Sequence, residues 1–226
     1  MELWHGSVQI IRKPSIEACR PHNDYGRGFY CTRHEELAKE WACQQAGRDG
    51  FANCYELDAA GLAWLNLNSA DFSLLDWLAV LLAHRSFQAN TPVAQEGAAY
   101  LLEHFGVEVS GYDVVCGYRA DDSYFSFARA FLNNQISVGQ LARAMKLGDL
   151  GEQVVLVSPH AFDRLEFVRA ARAESIAYYP LRQARDQRAR ADYRGIAQSF
   201  DRTGLYLRDI VVEGVERDDE RLFLCR

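Results

Sequence analysis

The sequence predicts an α+β fold, because segments with strand-like and helix-like spacing are mixed without the regular alternation of a parallel α/β sheet. Of the 226 residues, 49% are hydrophobic and 25% are charged, which is typical of a globular protein. The length suits a single domain covering 1–226. The chain carries no GxGxxG, P-loop, HExxH or GxSxG motif, so several common enzyme classes lose support.

Helix starts are marked most clearly by two capping boxes. Ser73 stands three residues before Asp76, and Ser137 three residues before Gln140. At this spacing each side chain can accept a hydrogen bond from the other residue's backbone N–H. We expect helices over 35–46, 73–87, 93–105, 123–131, 137–145 and 181–198, with a further turn or helix starting at Pro159. The stretch from about 69 to 106 is then a helical insertion.

Strands are expected where short apolar runs are bounded by polar or glycine-containing turns. The first covers 3–5 and runs into a turn at Gly6 and Ser7. The others are predicted at 28–32, 51–57, 62–67, 112–118, 153–158 and 206–212.

Charge is distributed unevenly along the chain. The net charge of −6 argues against a general nucleic-acid binder, because affinity for phosphate comes largely from Lys and Arg. The segment 164–208 nevertheless contains ten Arg against five acids. It could hold a phosphate-bearing ligand. It could equally form a solvated helix face with pairs four residues apart, such as Asp186 with Arg190.

No apolar run approaches the length of a membrane span, since the longest, at 74–83, is interrupted by Asp76. The N-terminus lacks a signal segment, so we expect a cytoplasmic protein without a membrane partner. The six cysteines show neither a CxxC pair nor the spacing of metal ligands, and we expect reduced, mostly buried thiols and no metal site. They are Cys19, Cys31, Cys43, Cys54, Cys116 and Cys225.

Two clusters combine reactive side chains with glycines at strand ends. In LWHGS, at 3–7, His5 is followed by a glycine whose bare backbone can approach a flat ligand. In DYGRGFYCT, at 24–32, glycines precede a strand that carries Tyr30. Each cluster alone is also typical of an ordinary turn and core.

Taken in order, these segments resemble the diphtheria-toxin and poly-ADP-ribose-polymerase branch of the ADP-ribosyltransferases. In that branch one strand ends in Tyr-His-Gly-Thr/Ser and a second reads Gly-Phe-Tyr-x-Thr. A further aromatic residue follows that tyrosine by 11 positions, which in this chain is Trp41. The chain also resembles an uncharacterised bacterial family with this inferred fold over roughly 1–170. The resemblance implies a split β-sheet core surrounded by helices.

The resemblance also implies roles for these residues, with NAD as the substrate. His5 would bond a ribose hydroxyl, and the backbone of Gly6 would bind the nicotinamide amide. The rings of Tyr30 and Trp41 would lie on opposite faces of the nicotinamide. Ser7 would assist in the ribose network.

The third catalytic element departs from the resembled branch, which has a glutamate at the start of a later strand. The best-matching strand here begins at Gln153, whose neutral amide can hold a hydroxyl but lacks the charge that stabilises a cation. Glu152 is adjacent, but successive strand residues point to opposite faces, so we favour Gln153. Asp121 and Asp122 are further candidates. They are also compatible with a helix N-terminus, where acids interact favourably with the dipole.

The resemblance therefore implies a mono-ADP-ribosyltransferase of the toxin or defence-effector type, because loss of the glutamate argues against polymer formation. Such a protein would have a macromolecular acceptor, protein or nucleic acid, and an antitoxin partner. One alternative is a catalytically inactive NAD-binding or protein-interaction member of the same fold. Another is a hydrolase with Cys31 as nucleophile and a histidine base, although nothing in the sequence brings the two together.

Overall fold

The computed structural model describes residues 1–120 and 122–223 and has an α+β architecture, as the sequence predicts. The strands are β1 (Glu2–Ser7), β2 (Phe29–Cys31), β3 (Gly50–Leu57), β4 (Trp64–Asn66), β5 (Val114–Tyr118), β6 (Glu152–Leu156) and β7 (Leu165–Ala173). The α-helices are α1 (Glu35–Ala42), α2 (Leu74–His84), α3 (Pro92–Phe105), α4 (Asp122–Leu132), α5 (Val138–Ala144), α6 (Pro159–Asp163), α7 (Ser175–Gln198) and α8 (Leu207–Glu213). Short 3₁₀ turns cover Leu147–Asp149 and Glu220–Leu222.

The strands form two small sheets. The first is antiparallel, with the order β1-β3-β7. The second has the order β2-β6-β5-β4, in which β4 and β5 are parallel and the other neighbours antiparallel. Parallel strands need a long crossover connection, and the connection between β4 and β5 contains α2 and α3.

A single β-bridge joins the two sheets. Trp4 of β1 and Thr32, just after β2, exchange backbone hydrogen bonds of 2.8 and 2.9 Å. Within the described parts of the chain, this is the one bridge outside the named strands, so β1 and β2 touch at one point and then separate.

The core lies in layers around the sheets. One buried cluster contains Leu3 and Tyr55 from the first sheet and Phe29 and Val154 from the second. A larger cluster packs α2, α3, α4 and α5 against the second sheet. Helix α1 covers the first sheet through Ala38 and also contributes to the larger cluster. It therefore lies beside the point where the two sheets separate.

Both predicted capping boxes are confirmed. The Ser73 hydroxyl accepts from the N–H of Leu75, and the Asp76 carboxylate accepts from the N–H of Ser73 at 2.7 Å. Ser137 and Gln140 bond each other's backbone N–H groups at 3.1 and 2.9 Å. Local side-chain chemistry was enough to place these two helix starts.

The predicted strand at 206–212 is wrong, because this segment forms α8. Leu207 and Ile210 are both buried, at the spacing of a helix face. Asp209 accepts a hydrogen bond of 3.0 Å from the N–H of Tyr206, and Gly214 ends the helix with φ at +65°. The apolar run was compatible with either structure, and these end signals decide it.

Several predicted boundaries also need correction. β1 continues through Gly6 and Ser7, which pair with β3 instead of turning. β6 begins at Glu152 and ends before Ser158, which caps α6. Helices α1 and α2 end at Ala42 and His84, earlier than predicted.

Two elements of the C-terminal part were missed or placed late. β7 is an edge strand with many exposed residues, so its sequence lacks the alternation of apolar and polar residues that would have predicted a strand. Helix α7 begins at Ser175 and contains Pro180, whereas we expected a helix only after this proline.

The five cysteines that the structure describes are free thiols, and all but Cys19 are buried, as predicted. Cys225 lies outside the described residues. Among the helices within 1–120 and 122–223, none combines the length and apolar character needed to cross a membrane.

Candidate functional site

His5 lies on β1 at the point where the two sheets separate. Its Nδ1 is 2.8 Å from the backbone oxygen of Tyr30, and its half-buried ring stacks on Phe29 with centroids 4.3 Å apart. A carbonyl oxygen only accepts hydrogen bonds, so Nδ1 must carry the proton. In the neutral ring, Nε2 is then the acceptor.

The pKa of His5 indicates that this neutral form prevails. Burial disfavours the imidazolium and lowers the pKa below the ordinary value of 6.5, more than the Tyr30 carbonyl raises it. At neutral pH, His5 therefore offers Nε2 as an acceptor for a hydroxyl group.

The backbone of Gly6 faces the gap between β1 and β2. Because Trp4 directs its N–H and C=O toward Thr32, alternation along the strand turns those of Gly6 toward the same side. The partner position on β2 is Tyr30, but the His5 ring already bonds the Tyr30 carbonyl. A side chain at Gly6 would clash with α1, since a Cβ there would lie 2.1 Å from the backbone oxygen of Ala38.

Tyr30 is held in place by its hydroxyl group. The hydroxyl donates to the backbone oxygen of Gly26 at 2.7 Å and accepts from the N–H of Tyr25 at 3.0 Å. Burial raises the pKa of Tyr30 well above its usual value, so the hydroxyl is not ionised at neutral pH. The ring is therefore fixed between β2 and the loop that precedes it.

Gln153 shares a sheet face with Tyr30. On the β2–β6 ladder Tyr30 pairs with Val155, and Gln153 lies two residues before Val155 on the same face. Its side chain is buried, with 6% exposed. Within the described residues, Oε1 of Gln153 is also buried and has no hydrogen-bond partner. A buried acceptor in this state is costly and marks a place where a ligand hydroxyl would be favourable.

The acidic neighbours of Gln153 are placed differently. Glu152 pairs with Tyr118 of β5, whereas Gln153 pairs with Gly117, so the two side chains lie on opposite faces of the sheet. The Glu152 carboxylate accepts a hydrogen bond of 3.1 Å from Asn68. Asp121 and the side chain of Asp122 lie outside the described residues.

Trp41 lies half-buried on α1, and a cation covers one face of its ring. The guanidinium carbon of Arg119 is 3.5 Å from the ring centroid. Within the described part of the chain, no ring contact joins Trp41 to Tyr30. The structure thus brings the His5 ring to the backbone oxygen of Tyr30, and no ring contact in the described residues joins the Tyr30 ring to His5 or to Trp41.

Asn53 on β3 organises the end of β1, and the sequence interpretation missed it. Its amide nitrogen donates to the Ser7 hydroxyl at 3.0 Å and to the backbone oxygen of His5 at 3.2 Å. Its oxygen accepts from the N–H of Ile11 at 3.0 Å. A polar asparagine within an otherwise apolar predicted strand was the available signal, and the structure shows that it is fully buried. Ser7 also donates to Gln9, so its hydroxyl is already engaged in this network.

Cys31 is not suited to be a nucleophile. It is fully buried in the cluster between the sheets, and burial raises the pKa of its thiol well above the usual value. A reactive cysteine needs an exposed, stabilised thiolate. The geometry therefore argues against the hydrolase alternative.

Comparison with known proteins places the chain in a family. Residues 1–167 match the model of DUF3990, described as a protein of unknown function. No curated protein and no solved structure matches the chain. The matched segment covers β1 to β6 and includes each candidate residue from His5 to Gln153. This chain therefore belongs to the DUF3990 family of proteins of unknown function.

Proposed function

We propose that this protein is a mono-ADP-ribosyltransferase with the ADP-ribosyltransferase fold, which cleaves NAD and transfers one ADP-ribose unit to a macromolecular acceptor. The observation that carries the proposal is the buried Oε1 of Gln153 on the sheet face of Tyr30, which has no hydrogen-bond partner among the residues that the structure describes. A ribose hydroxyl is a donor of the kind that such an acceptor lacks.

His5 would hold the nicotinamide ribose from the β1 side. Its Nδ1–H is committed to the Tyr30 carbonyl, so Nε2 accepts from a ribose hydroxyl without any change of tautomer. The Gly6 N–H and C=O face the same gap and match the two hydrogen-bonding groups of a carboxamide. The ring of Tyr30 would pack against the nicotinamide.

In the reaction, the bond between the nicotinamide nitrogen and the ribose carbon breaks, and nicotinamide leaves with the bonding electron pair. The acceptor's nucleophilic atom then bonds the same carbon and loses its proton. Gln153 would hold a ribose hydroxyl during this step but adds no negative charge near the developing cation. In the resembled enzymes the glutamate at this position also activates the acceptor hydroxyl. Gln153 lacks that carboxylate, which favours a single transfer over polymer formation.

A second candidate is an inactive NAD-binding member of the same fold. The position of the Arg119 guanidinium favours it, because the guanidinium already occupies one of the two faces of the Trp41 ring on which nicotinamide could stack. The neutral Gln153 favours it as well.

Nicotinamide release and intact mass distinguish these functions. The purified protein is incubated with NAD, alone and with cell extract, and NAD binding is measured by calorimetry. We expect nicotinamide release and a mass gain of single ADP-ribose units on the protein or an extract component. Binding without release would support the inactive member. Absence of binding by the folded protein, or long polymers, would contradict the proposal.

A further inference from the structure

A cavity of about 130 Å³ is lined by residues of α1, α4 and α7 and by Leu150. Trp41, Tyr124 and Leu150 form its aromatic and apolar walls. Arg182, Arg185 and further polar residues of α7 form the remaining side. Arg119, whose guanidinium covers one face of the Trp41 ring, is not among the described residues that line the cavity.

The acids in the cavity wall are neutralised by neighbouring arginines. Arg185 bonds both oxygens of the buried Glu40 at 2.9 and 2.7 Å. Arg190 bonds Asp186 at 2.8 Å. Arg182 is half-buried and, among the described residues, has neither a hydrogen-bond nor an ion-pair partner. The described residues of the wall therefore carry a net charge of +1, and Arg182 is the residue among them at which an anion would find an unused donor.

We propose that this cavity binds the phosphate group of a nucleotide, with Arg182 as the anion ligand and Trp41 beside the base. Guanidinium groups form paired hydrogen bonds with phosphate oxygens, and an aromatic wall gives a base a surface to pack on. The cavity is too small for a whole nucleotide, so a phosphate or one ring enters and the rest of the ligand lies at the rim.

The site goes beyond the proposed function, since it requires neither NAD cleavage nor His5, Gly6 and Gln153, and it shares only Trp41 with the predicted nicotinamide site. Its arginines come from α7, which follows the segment 1–167 that matches the family model. The cavity therefore combines a family part, at Trp41, with a C-terminal helix that carries the charge.

Calorimetry with AMP, adenosine and inorganic phosphate tests the site on the full chain. We expect AMP to bind at least about tenfold more tightly than adenosine, because the phosphate supplies the contact. Arg182→Ala should weaken AMP binding by about tenfold or more. Arg188→Ala is the matched control, since Arg188 is exposed on the same helix and does not line the cavity.

Equal affinities for AMP and adenosine would overturn the proposal. So would unchanged AMP binding in a folded Arg182→Ala protein, equal losses in Arg182→Ala and Arg188→Ala, or Arg182-dependent binding of an acidic peptide but not of AMP. Circular dichroism checks that each variant is folded.

The phosphate can belong to NAD or to a separate nucleotide, and competition separates the two. If AMP competes with NAD and Arg182→Ala weakens both, NAD supplies the phosphate. If AMP does not compete with NAD and Arg182→Ala leaves NAD binding unchanged, the ligand is a separate nucleotide. His5→Ala should leave AMP binding unchanged, because His5 is outside the cavity. Arg182-dependent AMP binding in a protein that never binds NAD would support this site and reject the proposed function.

Discussion

The gap between β1 and β2 and the cavity beside α7 use opposite kinds of chemistry. The gap is bordered by uncharged groups with fixed directions, namely the neutral imidazole of His5 and the peptide groups of Gly6, and the uncharged amide of Gln153 lies on the sheet face of Tyr30. The cavity is lined by ion pairs and by Arg182, for which the described part of the chain holds no ion-pair partner. The first arrangement selects the position of hydroxyl and amide groups, and the second selects negative charge.

The two regions also differ in how their geometry is held. At the gap, backbone bonds between Trp4 and Thr32 fix the strands. At the cavity, the long side chain of Arg185 links α7 to Glu40 of α1 and to the backbone oxygen of Gly148. The geometry of the gap should therefore be less sensitive to salt than that of the cavity.

The largest effect on stability is expected at the cavity. Arg185→Ala would leave the carboxylate of Glu40, which is 4% exposed, without its partner. Breaking a buried pair in this way costs about 3 kcal/mol of the free energy of unfolding. Urea unfolding measures it, with Arg188→Ala as the control on the exposed side of α7. A loss no greater than that of the control would show that the pair does not hold α7 to α1.

Gly6→Ala should be the most damaging change at the gap. The added Cβ would lie 2.1 Å from the backbone oxygen of Ala38, so β1 or α1 must move. We expect a loss of about 2 kcal/mol in the free energy of unfolding, as in other overpacked sites. Gly111→Ala is a suitable control, because the space around Gly111 is open. Equal stability of the two variants would contradict the close packing of α1 on β1.

His5→Ala should lower NAD cleavage by about tenfold, which corresponds to one hydrogen bond of about 1.4 kcal/mol. The pH profile adds a specific test. Because burial lowers the pKa of His5 below 6.5, Nε2 remains an acceptor until the pH falls further. The acidic midpoint of activity should therefore lie below 6.5, and a midpoint above that value would rule out this acceptor role.

The same shift affects folding. The unfolded chain takes up a proton on His5 at a higher pH than the folded chain does, so this residue lowers stability as the pH falls below 6.5. His5→Gln should remove this contribution, which unfolding experiments at two pH values would detect.

The smallest expected effect concerns Tyr30. Tyr30→Ala removes the ring and should weaken NAD binding by the stacking contribution, about 1 kcal/mol. Tyr30→Phe keeps the ring but leaves Gly26 and Tyr25 without their hydroxyl partner. It should therefore lower stability more than NAD affinity. Equal losses of affinity in calorimetry would argue against stacking.

Local signals made much of the fold predictable. The capping boxes at Ser73 and Ser137 placed two helices, and apolar runs placed β3, β5 and β6 to within a few residues. The errors lie where local signals were weak or balanced. The edge strand β7 is half-exposed, and the apolar run of α8 suits a strand until Asp209 and Gly214 are considered.

The candidate site was less predictable, because its geometry depends on contacts between distant segments. The order of the motifs indicated His5 and Tyr30, but the bond from the ring of one to the backbone of the other depends on the single bridge at Trp4. The Arg119 guanidinium over Trp41 joins residues 78 positions apart and has no local signature. Asn53 was visible only as a polar residue in a buried strand.

Nicotinamide release by Gln153→Ala and Glu152→Ala tests the central claim most directly. The two residues are adjacent but lie on opposite faces of the second sheet, so each is the other's control. We predict that Gln153→Ala abolishes turnover, that Glu152→Ala stays near the wild type, and that Gln153→Glu retains or raises NAD hydrolysis. Full activity in a folded Gln153→Ala protein would contradict the account.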